Sequence, residues 1–291
     1  MMNTPLAWLM RRAAGLLLLL TALVAPVAMA DLMLYPTRVV MEKNQRAAQV
    51  ELINNGLAAE SYRISVVNRR MTETGEIVSA NEPEPNELFA TDMIRHSPRQ
   101  VTLKGGESQT VRISLRKPAS LAIGEYRSHL QFDRLPDVEG SNNIEQAMNP
   151  EQSDIAIRLI TLIGASIPVI VRHGDTSASV TLDNLVMEPA HKTAGQADSP
   201  PLLAFHMKRS GNRSVYGNVL ATYTSPGGAP VSVGLANGVG IYVPNTLRIA
   251  KLPTRLPDGS ALKKGGLIQL SFSQRPEDGG KLMAQASLVV P

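Results

Sequence analysis

The sequence predicts an all-β protein built from two β-sandwich domains in series, and three features carry that expectation. Apolar and polar residues alternate at a period of two through most of the chain. The alternating runs are short, and Gly, Pro or Asn interrupts them about every 8–12 residues. No segment sustains a 3.6-residue apolar period over three turns. The length, 291 residues, suits roughly two domains. Hydrophobic residues make up 43% and charged residues 19%, a globular composition that excludes a disordered or collagen-like chain. Aromatic residues are only 4%, so the core is expected to rest on Val, Ile, Leu and Met. The chain has no cysteine, which excludes disulfide scaffolds, zinc ribbons, thiol catalysis and iron–sulfur clusters together.

Residues 1–30 read as a signal peptide. Arg11 and Arg12 make a positive start, Leu16–Leu20 lies inside the apolar run, and Ala28-Met29-Ala30 has the small-x-small form of a cleavage site. The run of about a dozen residues is too short to cross a hydrocarbon core of roughly 30 Å, so membrane insertion is not expected. Cleavage near Ala30 would leave the mature chain in the periplasm. Losing Arg11 and Arg12 takes 29 basic residues to 27 against 25 acidic, and the net charge from +4 to +2. Such a balance gives no reason to expect a nucleic-acid partner.

The strands follow in order. Val39–Met41 and Ala48–Ile53 precede an Asn54-Asn55-Gly56 turn, and Tyr62–Asn68 alternates as a half-buried strand does. Val101–Leu103 runs into the Gly105-Gly106 turn, and Gln109–Leu115 alternates again. Between Glu125 and Leu135, one row holds Tyr126, Ser128, Leu130 and Phe132; the opposite row holds Arg127, His129, Gln131 and Asp133. A polar loop from Asp137 to Asp154 leads to the apolar run 155–171. Its odd row is Ile155, Ile157, Leu159, Thr161 and Ile163, and its even row is apolar too. Burying both rows needs a second layer, which one sandwich does not offer. The run is thus either an interior strand of a larger sandwich or an edge strand that shows apolar side chains to a partner. Pro168 has no N–H to donate, so pairing stops near it or the strand lies at an edge. The first domain spans 31–172, a linker 173–176, and the second domain 177–291. Strands in the second domain are expected at 179–182, 202–208, 215–224, 231–235, 240–243, 267–273 and 284–290.

Catalytic patterns are missing. The histidines at 96, 129, 173, 191 and 206 lack metal-ligand spacing, and there is no nucleophile elbow, phosphate loop or dinucleotide fingerprint. The chain is expected not to be an enzyme and to need no cofactor or metal.

An ordered series of segments resembles the periplasmic pilus-assembly chaperones, the PapD-like proteins of chaperone–usher secretion. It runs through Tyr35-Pro36-Thr37-Arg38-Val39-Val40, Val50–Asn55, Ser97–Val101 with Leu103 and Gly105-Gly106, and Gln109–Ile113. It ends with Gly124–Leu130 and Ile167–Arg172. The resemblance covers residues 31–172 well and the second domain only through its size and strand-rich end. It implies two immunoglobulin-like domains set at an angle, with a cleft between them. It further implies a chaperone that completes pilus or fimbrial subunits by donor-strand complementation, in fimbrium biogenesis and cell wall organization, and delivers them to an outer-membrane usher. The donated stripe would be Ile155, Ile157, Leu159, Thr161 and Ile163, and a free chain could pair with itself through the same strand.

Arg38 stands where the family's cleft arginine would grip a subunit's C-terminal carboxylate; the alternative is an ordinary edge-strand arginine. The lysine that usually joins it is Pro168 here. Anchoring then rests on Arg38 alone or borrows a base, with Arg127 and Arg99 as candidates. Arg172 matches a basic residue of the interdomain linkage, while the acid expected after Leu103 is Lys104. The other class of reading is a secreted surface pilin or adhesin made of Ig-like modules.

Overall fold

Alternation becomes burial strand by strand in a computed structural model of the chain, which describes residues 32–136, 164–190 and 199–291. In β3 (Ala47–Asn54), Val50, Leu52 and Asn54 point inward, and in β9 (Ser108–Leu115) the inward row is Val111, Ile113 and Leu115. Asn54 is a polar residue in that buried row, and its side chain is fully used. Its Nδ2 donates to Ala58 O (2.8 Å) and Leu103 O (2.9 Å), and its Oδ1 accepts from Gly56 N, so the turn read from Asn54-Asn55-Gly56 is pinned to the sheet.

The first unit has two facing sheets. One has the order β1-β3-β9-β7, with β1 at Leu32–Tyr35 and β7 at Ile94–Ser97. The other adds β2 (Val39–Met41), β4 (Glu60–Val67), β8 (Gln100–Leu103), β10 (Gly124–Arg134) and β11 (Gly164–His173) in the order β2-β11-β10-β4-β8. This is the ABED and GFC arrangement of an immunoglobulin-like sandwich. The chain changes sheet between β1 and β2, at Pro36, and between β7 and β8, at Pro98; proline's missing N–H ends a ladder at both places. A two-stranded hairpin, β5 (Arg69–Met71) and β6 (Ile77–Ser79), projects from this unit.

The second unit repeats the plan. One sheet is β12 (Ala178–Glu188), β13 (Leu202–Gly211) and β16 (Leu247–Pro253). The other has the order β15-β14-β17-β18, with ranges Val215–Thr224 for β14, Pro230–Ile241 for β15, Leu267–Ser273 for β17 and Leu282–Val289 for β18. The expected strands 231–235 and 240–243 are one continuous strand, and β16 was not among the expected ones. Each unit has its own apolar core.

The cores are mainly aliphatic, as expected: most of the buried apolar residues are Val, Ile, Leu or Met, with a few aromatic side chains among them. The largest fully buried side chains include Tyr62, Phe132, Tyr223 and Phe272, and Phe205 is buried as well. Three of the four phenylalanines are therefore in the cores, where each buries a large apolar surface. Among the described residues, no helix is long and apolar enough to cross a membrane.

The described half of the apolar run resolves one question posed by its two apolar rows. Ile167, Val169 and Val171 face the first core, while Ile170 packs with Met71 and Tyr242, so here the second layer comes from β5 and the second unit. β11 pairs with β10 from Gly164 to His173, but with β2 only at Val169–Val171. Pairing with β2 thus begins just after Pro168, where β2 itself starts. Ile155, Ile157, Leu159, Thr161 and Ile163 lie outside the described residues, as does the loop from Asp137.

Candidate functional site

Arg38 occupies the crossover from β1 to β2, one residue before the β2–β11 pairing starts at Val39 and Val169. Its guanidinium carbon sits 4.5 Å from the ring centre of Tyr216, a β14 residue of the other unit. Its Nε is buried and has no hydrogen-bond partner among the described residues. Burial lowers its pKa from the ordinary value, and Arg172 adds to this while Tyr242, Glu125 and Asp278 oppose it. An arginine nevertheless stays charged. The result is a part-buried cation with hydrogen-bonding capacity to spare.

This side chain lines a cleft of about 700 Å³ between the two units. Five cations line it (Arg38, Arg172, Arg213, Arg275 and Lys281) against the carboxylates of Glu42 and Asp278. Most of those cations are committed. Arg172 pairs with Glu42 and, through Nε, with Glu125 at 3.0 Å; Arg213 approaches Glu42 at 3.8 Å. Arg275 pairs with Glu277 and Asp278, both at 3.0 Å, within its own β17–β18 connection. Arg38 and Lys281 have no ion pair among the described residues.

The other residues singled out in the sequence fall in different places. Arg172 is buried at the end of β11, and Glu125 ties it across the boundary: the same Oε2 that pairs with Arg172 accepts from Ser214 N at 3.1 Å. The acids that meet Arg172 are thus Glu125 and Glu42, while Lys104 approaches Glu107. Arg127 is buried beneath Tyr242, 4.4 Å from its ring centre, and donates to Arg69 O. Burial lowers its pKa. Arg127 belongs to the packing between the units and does not line the cleft. Arg99 is exposed beside Ile64, Arg95 and His96, in a separate depression, also away from the cleft. Neither therefore joins Arg38.

Sequence reasoning missed Glu125, Tyr216 and Lys281. Glu125 did carry a signal, since it begins the polar row of β10. Tyr216 and Lys281 carried none, because an alternating tyrosine and a lone lysine after Gly279-Gly280 are unremarkable in a β-chain.

No protein-family model matches this sequence, and no curated protein matches it. Among solved structures, the chain is similar to the YadV chaperone, with 10% identity, coverage of 90% of this chain and 100% of that one, and a TM-score of 0.44. It is also similar to the CsuC–CsuE chaperone–tip adhesion subunit complex from the archaic chaperone–usher Csu pili of Acinetobacter baumannii (14% identity, 90% and 98% covered, TM-score 0.43). The Pseudomonas aeruginosa CupB2 chaperone is similar at 9% identity, with 89% and 100% covered and a TM-score of 0.43.

Proposed function

We propose that this chain is a periplasmic chaperone for pilus or fimbrial subunits, which it completes by donor-strand complementation and hands to an outer-membrane usher. One juxtaposition carries the reading. Beside β11, β2 occupies the edge only from Val169 onward, and among the described residues no strand pairs with Gly164–Pro168 on that side. An extended chain laid along the open stretch must stop where β2 begins, and Arg38 stands there. If that chain runs in the direction of β11, its last group is a carboxylate facing a guanidinium able to grip it bidentately.

The stripe Ile155, Ile157, Leu159, Thr161 and Ile163 shares its parity with Ile167, Val169 and Val171, the row that fills the first core. In the proposed complex the stripe fills a subunit's open groove in the same manner. Each aliphatic side chain so buried contributes about 1.5–3 kcal/mol before ordering costs. Signal-peptide cleavage near Ala30 places the reaction in the periplasm, and neither a cofactor nor ATP is needed.

The test is co-expression with fibre subunits of the same organism. Leu159→Glu and Ile163→Glu each put a carboxylate into the proposed groove and should reduce subunit recovery by more than about tenfold, with the circular dichroism of the free protein unchanged. Recovery equal to wild type with both variants sinks the donor-strand reading.

A further inference from the structure

Among the described residues, two cations of the cleft are claimed by no carboxylate, and they come from different units. Arg38 enters from the head of β2. Lys281 enters from the end of the β17–β18 connection, where its carbonyl accepts from Gln274 N at 2.9 Å and so fixes the root of its side chain. Between Gln274 and Lys281 the connection neutralises its own arginine: Arg275 is held by Glu277 and Asp278. Asp278 also faces the cleft, but it is spent on Arg275 and leaves Lys281 free of any ion pair among the described residues. Tyr216 adds the third element. Its ring is the surface on which the Arg38 guanidinium rests, so a second-unit residue sets how the first-unit cation faces the cavity.

We propose that Lys281 is the second cation for a terminal carboxylate bound at Arg38, and that Tyr216 is the positioning residue for Arg38. The proposal rests on the carboxylate-anchor reading above and names the residues that complete the anchor. The carboxylate accepts from the Arg38 guanidinium on one side and from the Lys281 ammonium on the other. The site is complete only when both units are in place, which makes anion binding a property of the two-unit protein. Among the described residues, five cations line the cavity, and these two alone can turn to a ligand without abandoning an acid.

The experiment uses the full mature chain and a fluorescent N-acylated octapeptide of alternating Val and Thr, made with a free C-terminal carboxylate and as its C-terminal amide. Anisotropy titrations measure the ratio of the two affinities. For the wild type the carboxylate should bind about tenfold or more tightly than the amide, as charged hydrogen bonds imply. Lys281→Gln should reduce that ratio by about fivefold and leave the amide's affinity unchanged, while Lys281→Arg should preserve it. Tyr216→Leu should lower the ratio and Tyr216→Phe should keep it, a pattern that loss of general packing would not produce because packing serves both peptides alike. If Lys281→Gln retains the full ratio while Arg38→Ala abolishes it, the role of Lys281 is overturned and the anchor reading stands. A wild-type ratio near one overturns the anchor reading itself, and the assignment of Lys281 with it.

Discussion

His129 shows how much a single position owes to residues far from it in the chain. It lies on β10 with only 3% of its surface exposed, and its Nδ1 has no partner among the described residues. Burial first, and then the charges of Arg127 and Arg69, push its pKa from 6.5 down to about 3. The folded chain keeps this imidazole neutral, whereas the unfolded chain protonates it below about pH 6.5. Between about pH 6.5 and 3 the unfolded state therefore binds the extra proton, and stability rises with pH through that window. Going from pH 7 to pH 5 should cost about 2 kcal/mol through this residue alone. Urea unfolding of wild type and His129→Gln at pH 7, 6 and 5 checks this: the difference between them should narrow or reverse by about that amount as pH falls. Curves that stay parallel would exonerate the histidine. Alternation in the sequence does place Glu125, Arg127, His129 and Gln131 in one row, but a polar row reads as a solvated one. What buries it is Arg69 donating to Gln131, Tyr242 over Arg127 and Ser214 donating to Glu125, and none of these partners is local. Arg38 was singled out only through the family resemblance, and the fold places it in the cleft between the units. Lys281 was not singled out, because Arg99 and Lys281 look alike in the sequence until the fold puts one of them in the cleft.

The β5–β6 hairpin is the element that most changes the picture. Its tip leaves the first unit and docks on β16, an edge strand of the second: Ile249 N donates to Glu73 O at 2.7 Å, and Asn245 Nδ2 donates to Met71 O at 2.7 Å. Gly75 sits at the tip with φ +87°, and a Cβ there would lie 2.5 Å from Nη2 of Arg248, whose Nη1 is itself held by Gly240 O. Gly75→Val combines a disfavoured backbone with a displaced guanidinium, a local cost of about 1–3 kcal/mol. It should release the tip from β16 and speed amide exchange at Ile249 by about tenfold or more, with the core amides of β9 and β17 unaffected. Unchanged exchange at Ile249 would mean that the docking does not depend on the glycine. Three-residue strands such as β5 and β6 are too short to display a period, so the sequence offered no sign of the hairpin. β16 was missed for a related reason. Most of its residues are half-buried rather than alternately in and out, since one of its edges meets the hairpin and not a strand of its own sheet. β15 was read as two strands because Gly238, at φ +69°, and the register shifts opposite β14 interrupt its alternation without ending its pairing. Long central strands such as β9 and β10, with a core on one face, were the legible ones.

At the scale of the whole molecule, two separate cores are joined by a narrow set of ties. Met71, Ile170 and Tyr242 form a small apolar patch, and around it stand the Glu125–Ser214, Asn245–Met71 and Ile249–Glu73 hydrogen bonds. Glu42, from the first unit, reaches Arg213 of the second. Such an interface holds the cleft open at a defined geometry, yet its ties are few. Unfolding the second unit would strip Ser214 and Tyr242 from a first unit in which Glu125 and Arg127 are buried, leaving charged groups that water must then enter to solvate. Loss of one unit therefore weakens the other, and calorimetry of the wild type should show one main unfolding transition. In the double variant Glu125→Gln, Asn245→Ala, the Asn245–Met71 tie is cut and the Glu125–Ser214 tie loses its charge, while the apolar side chains of both cores are unchanged. Each lost hydrogen bond to a charged or buried group removes about 1–3 kcal/mol of coupling. The single endotherm should separate into two whose combined enthalpy stays close to that of the wild type, because the cores that supply most of it are untouched. A single peak that only moves to lower temperature would mean that the apolar patch around Tyr242 couples the units by itself. In that case the cleft's geometry would be set by packing alone and not by the buried glutamate.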